Sequence, residues 1–352
     1  MYFSEKIINW YKKNGRKLPW RETKNPYYIL VSEFMLQQTK VSLKTIKCYL
    51  NFIKKFPNLK KLAQAEEKDV LKEWEGLGYY TRAIHLHFFA KKLKNKPIDF
   101  FPKKYKDLIQ YKGIGPYTGA AIASICFNEV IPAIDGNAYR VFSRYIGIYH
   151  DITLSVSNNK FRIYISKMID HNFPGLFNQA IMDLGSILCT PKKAKCFLCP
   201  VKRSCFSFKN GTVYKFPVKN NRKKKPILGR FFYYIFICNY HKKLCLNKRL
   251  SKDIWKGLYD FPLIESKKKL TENEIRENVW KKFQLIYNNV IYQIRHKLTH
   301  QILSIQFLNC EITQNFSKNI FLEKFIFIPY GKICEYPFPS PILLFLKHEK
   351  MI

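Results

Sequence analysis

Apolar residues over the first 216 positions recur every three to four residues, the spacing of amphipathic α-helices. The segment 70–77, for example, places four large apolar residues on one face and then meets glycines, which end helices. Ser4 is expected to cap the first helix, and Asn25 followed by Pro26 is expected to open the second. The predicted helices cover residues 4–15, 26–41, a short stretch after 57, 70–77, 83–93, 103–110, 117–127, 137–145, 160–169 and 177–188.

The pattern changes after residues 217–228, a lysine-rich segment that contains two prolines. Short apolar runs at 231–238, 289–295, 303–308 and 325–328 predict strands, and helical spacing returns at 272–283 and 341–347. The chain is therefore predicted to be multidomain. An all-α domain covers residues 1–216, a basic linker covers 217–228, and an α+β domain covers 229–352.

Composition limits the class of protein. The chain has 352 residues, of which 47% are hydrophobic, so it is long enough for two or three domains with real cores. Its longest apolar run is too short to span a bilayer, and no signal peptide is recognisable, so a soluble cytoplasmic protein is expected. The formal net charge of +37 favours a polyanionic partner. Compositional drift towards Lys, Ile, Asn, Phe and Tyr is the alternative explanation of the charge, and both explanations can hold.

Four cysteines in one short loop have a spacing typical of metal ligands. Cys189, Cys196, Cys199 and Cys205 follow the pattern C-x6-C-x2-C-x5-C. Four thiolates can surround one soft metal centre, either zinc or an iron–sulfur cluster. Zinc loops usually contain two C-x2-C pairs, and this loop contains one, so one 4Fe-4S cluster is the preferred interpretation. A chance grouping of structural thiols is the third alternative.

A glycine-containing turn separates two predicted helices. Gly113 and Gly115 belong to the segment Tyr111–Ala120, and both come just before the predicted helix at 117–127. A tight hairpin of this kind exposes backbone N–H groups next to a helix N-terminus, and such groups bind phosphate without reading sequence. An ordinary turn is the alternative for this motif taken alone.

Several segments together carry a family resemblance. Residues 32–39, 76–80 and 177–179 read SEFMLQQT, GLGYY and FNQ, and they occur with the hairpin, Ile134–Asn137 and the cysteine loop. This arrangement resembles the endonuclease III superfamily of DNA glycosylases, and within it the MutY-type adenine DNA glycosylases. The resemblance implies a helix-hairpin-helix domain with a six-helix barrel over about 22–132. It also implies a cluster domain from 1–21 and 133–216, and a Nudix-like domain over 229–352.

Two carboxylates are the candidate catalytic groups. Glu33 lies within an apolar helix, where desolvation would raise its pKa and keep it protonated as a general acid. The resemblance implies that Glu33 protonates adenine N7 and also activates water. It further implies that Asp135 stabilises the sugar cation. A helix cap is the alternative role for Asp135. Related lyases carry a Schiff-base lysine where Tyr117 stands, so base removal without strand cleavage is expected.

The resemblance also implies the contacts with DNA. The partner would be double-stranded DNA with adenine opposite 8-oxoguanine or guanine, bound by a monomer at the bacterial nucleoid. The target base must leave the duplex, and the gap must be filled. Gln38 and Tyr79 are expected to enter the base stack, and the flipped adenine is expected to contact Trp20, Arg21 and Gln179. The remaining expected contacts are the hairpin glycines, Asn137, and the basic cluster loop with Lys192, Lys193, Lys195, Lys202 and Arg203.

The C-terminal segment resembles the family's Nudix-like domain at Trp255–Pro262, which reads WKGLYDFP. It lacks the glutamate-rich helix that a Nudix hydrolase needs for magnesium, so nucleotide hydrolysis is not expected. Thr299 and His300 match the Ser and His of the family's 8-oxoguanine-reading loop, whereas Leu298 replaces an aromatic residue. The alternatives are an endonuclease III-like glycosylase and lyase for oxidised pyrimidines, and a non-catalytic DNA-binding or redox protein.

Overall fold

The computed structural model describes residues 2–97, 100–152, 155–218, 227–237, 242–251, 253–312 and 325–352, except the side chains of 155–160. The chain divides into two compact units. We call Met1–Gln64 with His85–Arg222 the helical unit, and Ala65–Ile84 with Lys223–Ile352 the mixed unit. Residues 65–84 were expected in the helical domain but pack with the C-terminal segment. Residues 219–226 of the expected linker lie outside the described residues. Within the described ranges, no helix is long and apolar enough to cross a membrane.

Local signals in the sequence set the helix ends. The Asn25 side chain accepts a hydrogen bond from the Tyr27 backbone N–H at 2.9 Å, and Pro26 occupies the first helical position, so α2 begins there. Two π-helical turns, Ser143–Gly147 and Leu184–Leu188, extend α9 and α11. The helices up to the linker are α1 (Phe3–Asn14), α2 (Pro26–Leu36), α3 (Leu43–Lys55), α4 (Leu59–Gln64), α5 (Glu67–Glu73), α6 (Thr81–Lys92), α7 (Tyr105–Leu108), α8 (Pro116–Phe127), α9 (Gly136–Phe142), α10 (Ser155–Ser166), α11 (Pro174–Asp183) and α12 (Phe206–Lys209).

Three of the helix predictions were wrong in detail. Ser4 is not a cap, because α1 already begins at Phe3. The second helix ends at Leu36 rather than at residue 41, because Gln38 adopts a φ of 57°, which an α-helix does not allow. Helix α3 was not predicted, although the Ser42 side chain caps it by accepting from the Thr45 N–H at 3.2 Å.

The mixed unit contains a four-stranded sheet between two helices. The strand order is β4-β1-β6-β5, in which β1 runs parallel to β6 and antiparallel to β4, and β5 runs antiparallel to β6. Helix α13 packs on one face and α14 on the other. The elements are β1 (Leu228–Ile237), β2 (Lys243–Lys248), β3 (Tyr259–Asp260), β4 (Leu263–Ser266), α13 (Glu272–Phe283), β5 (Leu285–Lys297), β6 (Gln301–Ile312), β7 (Ile326–Pro329) and α14 (Ser340–His348). Strands β2, β3 and β4 were not predicted, because their sequences, KLCLNK, YD and LIES, contain no apolar run of four residues.

Helix α5 and the loop after it belong to the core of the mixed unit. Gly257 has a φ of +84°, and a Cβ atom there would lie 2.8 Å from Leu71 Cδ1. Only glycine therefore permits this approach of the two segments. The Phe338 backbone N–H donates to Glu75 Oε1 at 3.0 Å, and Lys72 Nζ donates to the Tyr336 carbonyl at 3.1 Å.

Candidate active site

Glu33 lies at the wall of a cavity of about 860 Å³ in the helical unit. It occupies the penultimate turn of α2, where the side chains on both sides are also buried, and only 8% of its surface is exposed. Burial raises the pKa of Glu33 to about 7, and the nearby negative charge of Asp135 adds to this effect. A carboxyl group with this pKa holds a proton near neutral pH and can donate it, as a general acid must.

Tyr117 is the immediate neighbour of Glu33. It lies in the first turn of α8, and its hydroxyl group hydrogen-bonds the Glu33 carboxyl group. The same hydroxyl group lies 3.5 Å from the Met182 sulfur. Burial, followed by the charge of Glu33, raises the pKa of Tyr117, so the phenol stays neutral. Tyr117 can therefore orient the acid, but it offers no amine for a Schiff base.

Asp135 shares this cavity and caps helix α9. Its Oδ1 accepts from the Ala138 N–H at 2.7 Å, and its Oδ2 accepts from the Asn137 amide at 2.6 Å. Asn137 is held in turn by Arg140, which donates to Asn137 Oδ1 at 2.7 Å. Burial raises the pKa of Asp135, and these hydrogen bonds oppose that rise. Asp135 therefore both caps helix α9 and supplies the second carboxylate of the cavity.

The cavity brings together the three predicted contacts of the flipped base, Trp20, Arg21 and Gln179, and two other predicted DNA contacts. Its wall includes Trp20, Arg21, Gln38, Asn137 and Gln179 as well as both carboxylates. Gln38 adopts its left-handed φ at the cavity wall. Trp20 is buried, with its ring edge-on to Tyr49 at a centroid distance of 5.1 Å.

Three residues that the sequence reasoning missed support this wall. Asp183 is fully buried and pairs with Arg21, while Arg16 donates to it through its backbone N–H at 2.8 Å and Nε at 2.7 Å. Burial alone would raise the pKa of Asp183, but the two arginines hold it below the usual value. Tyr11 donates to Gln179 Oε1 at 3.2 Å. The spacing of Gln179 and Asp183, four residues apart on one helix face, was the available signal.

The two hairpin glycines differ in backbone conformation, because only Gly113 has a positive φ. Gly113 has a φ of +92°, and a Cβ atom there would lie 2.7 Å from His85 Cβ. Gly115 precedes α8 as its N-cap, with Pro116 as the first helical residue. Gln37 Nε2 donates to the Gly113 carbonyl at 3.2 Å and so ties the end of α2 to the hairpin. The backbone N–H groups at the start of α8 suit a phosphate.

The four cysteines follow the π-turn at the end of α11 and lie near one another. Cys189, Cys205 and Cys196 each affect the pKa of Cys199, which burial raises to about 12. Arg144 Nη1 donates to Cys189 Sγ at 3.4 Å, and Cys205 Sγ donates to the Arg144 carbonyl at 3.4 Å. In the described part of the chain, no three His, Cys, Asp or Glu residues are arranged as metal ligands. The donor set, four neighbouring thiols of one loop, nevertheless suits a soft metal centre.

A second recess lies within the mixed unit. This groove, of about 410 Å³, is lined by the loop of Tyr79, by the segment of Trp255 and by the turn of Thr299 and His300. The hydroxyl groups of Tyr79 and Thr299 are 2.8 Å apart. Tyr79 is 45% exposed and has a left-handed φ of 48°. Leu298, which replaces the expected aromatic residue, packs against the core of the unit.

Comparison with known protein families assigns two parts of the chain. Residues 31–164 match the HhH-GPD superfamily of base excision DNA repair proteins, and residues 233–348 match the NUDIX domain. Together with the two carboxylates of the cavity, these matches define a DNA glycosylase, a hydrolase of N-glycosyl bonds, with an appended Nudix-like domain. An adenine DNA glycosylase of Buchnera aphidicola subsp. Schizaphis graminum is 38% identical over 309 residues, which are 86% of each chain. The chain belongs to the adenine DNA glycosylase family.

More distant proteins agree with this assignment. The Arabidopsis thaliana adenine DNA glycosylase is 34% identical over 298 residues, covering 73% of this chain and 46% of that protein. A thermostable thymine-DNA glycosylase structure is 25% identical, with a TM-score of 0.54 over 59% of this chain and 95% of its own. A trapped endonuclease III–DNA intermediate, 16% identical with a TM-score of 0.50 over 59% of this chain and 94% of its own, supports the fold alone. The predicted enzyme class is confirmed, as is the predicted fold class of a helix-hairpin-helix domain with a Nudix-like domain, and the endonuclease III-like alternative is not favoured.

Proposed function

We propose that this protein hydrolyses the N-glycosidic bond of adenine mispaired with 8-oxoguanine or guanine and leaves an abasic site in double-stranded DNA. The buried carboxyl group of Glu33, with its pKa near 7 and its hydrogen bond to Tyr117, is the observation that carries this proposal. Adenine is a poor anionic leaving group, so it must be protonated as the bond breaks. With a pKa of about 7, the carboxyl group of Glu33 can supply that proton near neutral pH, which supports this role.

The two carboxylates would divide the reaction between them. Glu33 would donate its proton to adenine N7, and the carboxylate formed would then activate the attacking water. Asp135, held by the Ala138 N–H and the Asn137 amide, would face the electron-poor sugar and stabilise its positive charge. Because Tyr117 stands where a lyase needs an amine, the product would be an abasic site without strand cleavage.

The groove of the mixed unit would recognise the base opposite adenine. Tyr79 is exposed and would enter the DNA next to that base, while Thr299 and His300 would read it. Hydroxyl and imidazole groups can hydrogen-bond the atoms that distinguish 8-oxoguanine from guanine. The NUDIX match concerns only the domain, so nucleotide hydrolysis is no part of the proposal.

We further propose that Cys189, Cys196, Cys199 and Cys205 hold one 4Fe-4S cluster. Such a cluster cross-links the loop and supplies no step of base removal. Arg140 donates to the Cys189 carbonyl at 2.7 Å and Arg144 to the Thr190 carbonyl at 2.8 Å, so the start of the loop is also fixed by the protein. The basic residues of the loop would then contact DNA phosphates.

We also propose that the protein acts as a monomer in the bacterial cytoplasm, in association with the nucleoid. The most similar relative cited above is a bacterial enzyme, and thiols that ligate iron persist in a reducing compartment. The excess of 37 positive charges suits a DNA partner.

One experiment tests the reaction. The protein is incubated with a duplex that carries a single adenine opposite 8-oxoguanine, and free adenine and strand breaks are measured before and after alkali. We expect adenine release, with breaks only after alkali treatment. Breaks before alkali would contradict the assignment of Tyr117, and no release of adenine would contradict the proposed function.

A further inference from the structure

The side-chain amide of Gln179 has two ends that a base can distinguish. At its Watson–Crick edge, adenine presents an amino donor at position 6 beside the N1 acceptor, whereas guanine and hypoxanthine present an O6 acceptor beside an N1–H donor. An amide with its oxygen towards position 6 and its nitrogen towards position 1 matches adenine. The same amide rotated by 180° matches the guanine-like edge. The orientation of this group therefore affects which base fits.

Tyr11 fixes that orientation from outside the cavity. Its hydroxyl group donates to Gln179 Oε1 at 3.2 Å. The guanidinium group of Arg21 lies beside the Tyr11 ring and carries only donor hydrogens, so it favours a hydroxyl group whose oxygen faces Arg21 and whose proton faces Gln179. A rotated amide would present its NH2 group to this hydroxyl group, whose proton would then face another donor hydrogen. The rotated state is thus disfavoured by a lost hydrogen bond and a donor–donor contact.

Arg21 is itself held in place. Its guanidinium group lies 5.4 Å from the centroid of the Tyr11 ring and pairs with Asp183, donating through Nη2 at 2.9 Å. Asp183 is fully buried and also accepts from Arg16. Asp183 thus holds the Arg21 charge beside Tyr11, and Tyr11 in turn donates to Gln179.

We propose that Tyr11 is a positioning residue for base specificity: it holds the Gln179 amide in the orientation that accepts adenine and rejects bases with the guanine-like edge. This inference rests on the proposed function, because it assumes that the flipped base meets Gln179. Tyr11 does not touch the base. It acts through the amide, and its effect falls on the choice between bases more than on DNA binding.

The test compares single-turnover excision of adenine and of hypoxanthine, each opposite 8-oxoguanine in the same duplex, by the wild type and by Tyr11→Phe. The variant removes one oxygen atom and frees the amide to rotate. We expect the adenine-to-hypoxanthine rate ratio to fall by about tenfold, the effect of one hydrogen bond of ordinary strength. The dissociation constant for DNA should stay unchanged.

Two further variants separate positioning from general damage. Tyr27→Phe removes a buried tyrosine hydroxyl group that donates to the Phe56 carbonyl at 2.5 Å, away from the cavity, and should leave the ratio unchanged even if it lowers stability. In a Gln179→Ala background, Tyr11→Phe should no longer change the ratio. An unchanged ratio in Tyr11→Phe, with normal adenine release by the wild type, would overturn this inference alone. Failure of the wild type to release adenine would overturn the proposed function and the inference with it.

Discussion

The hydroxyl groups of Tyr79 and Thr299 lie 2.8 Å apart although 220 residues separate them in sequence. Each came from a different motif, Tyr79 from the GLGYY segment and Thr299 from the loop after β5. Both residues belong to the mixed unit, because residues 65–84 pack there. The contact joins the residue proposed to enter the DNA to the residue proposed to read the opposite base.

This pair can be tested with a double-mutant cycle. Tyr79→Phe and Thr299→Val each remove one hydroxyl group and leave the shape nearly unchanged. We expect each variant to reduce the preference for 8-oxoguanine over guanine opposite adenine by several-fold, up to about tenfold, since one hydrogen bond contributes about 0.5–1.5 kcal/mol. The double variant should lose less than the product of the two single effects, because they share one contact. Fully multiplicative losses would show that the two hydroxyl groups act independently.

The pH dependence of excision should follow Glu33. Its protonated form is the active one, and its pKa is about 7, so the single-turnover rate should fall about tenfold per pH unit above that value. At low pH the rate should fall again as Asp135, whose pKa is raised, takes up a proton. Single-turnover rates measured between pH 5 and 9 would test the alkaline limb, and measurements extended to lower pH would test the acidic one.

Glu33→Gln should lower the rate by about 10²–10⁴-fold while DNA affinity stays nearly unchanged, because the amide keeps the shape but carries no acidic proton. The alkaline limb of the pH profile should vanish in this variant. A variant that kept the limb would place the acid on another group.

The stability of the mixed unit should depend on one buried ion pair. Asp260 is fully buried, and Arg249 Nη1 lies 2.6 Å from its Oδ2. Arg249→Met would leave the carboxylate without its charged partner, so we expect the free energy of unfolding to fall by about 3–5 kcal/mol in denaturant titrations. Glu277→Gln is the matched control, because Glu277 and Lys281 form an exposed pair, and a change below about 0.5 kcal/mol is expected there. Equal effects of the two variants would contradict the role of burial.

Replacing a cysteine of the loop should cause a measurable loss of iron. Cys199→Ser should purify with little or no iron and labile sulfide, lower thermal stability and weaker DNA binding, because a serine oxygen is a poor ligand for this soft centre. Cys334→Ser, at an exposed thiol of the mixed unit, should keep the full metal content. Zinc in place of iron in the wild type would reject the cluster and leave the loop as a metal site of another kind.

A feature of the fold or of the site could be predicted from the sequence where its signal is local, that is, carried by residues close together in the chain. Glu33 was recognised because its apolar neighbours in α2 already implied burial, and Asp135 because a cap and a motif coincide there. Tyr11 and Asp183 were missed, because their importance arises from contacts over more than 160 residues. Strands β2 to β4 were missed since short strands acquire their order from pairing partners rather than from their own pattern.

The membership of residues 65–84 in the mixed unit has a consequence for proteolysis. The chain passes between the two units at 64/65, at 84/85 and at 222/223. A protease that cuts only between 217 and 228 would therefore not release the C-terminal fragment, because α5 stays packed against the Gly257 segment of that fragment. The nicked protein should migrate as one species under native conditions and as two bands after denaturation. Equally, a fragment truncated at residue 216 would leave α5 without its packing partner, so the enzyme does not divide into two independent pieces at its linker.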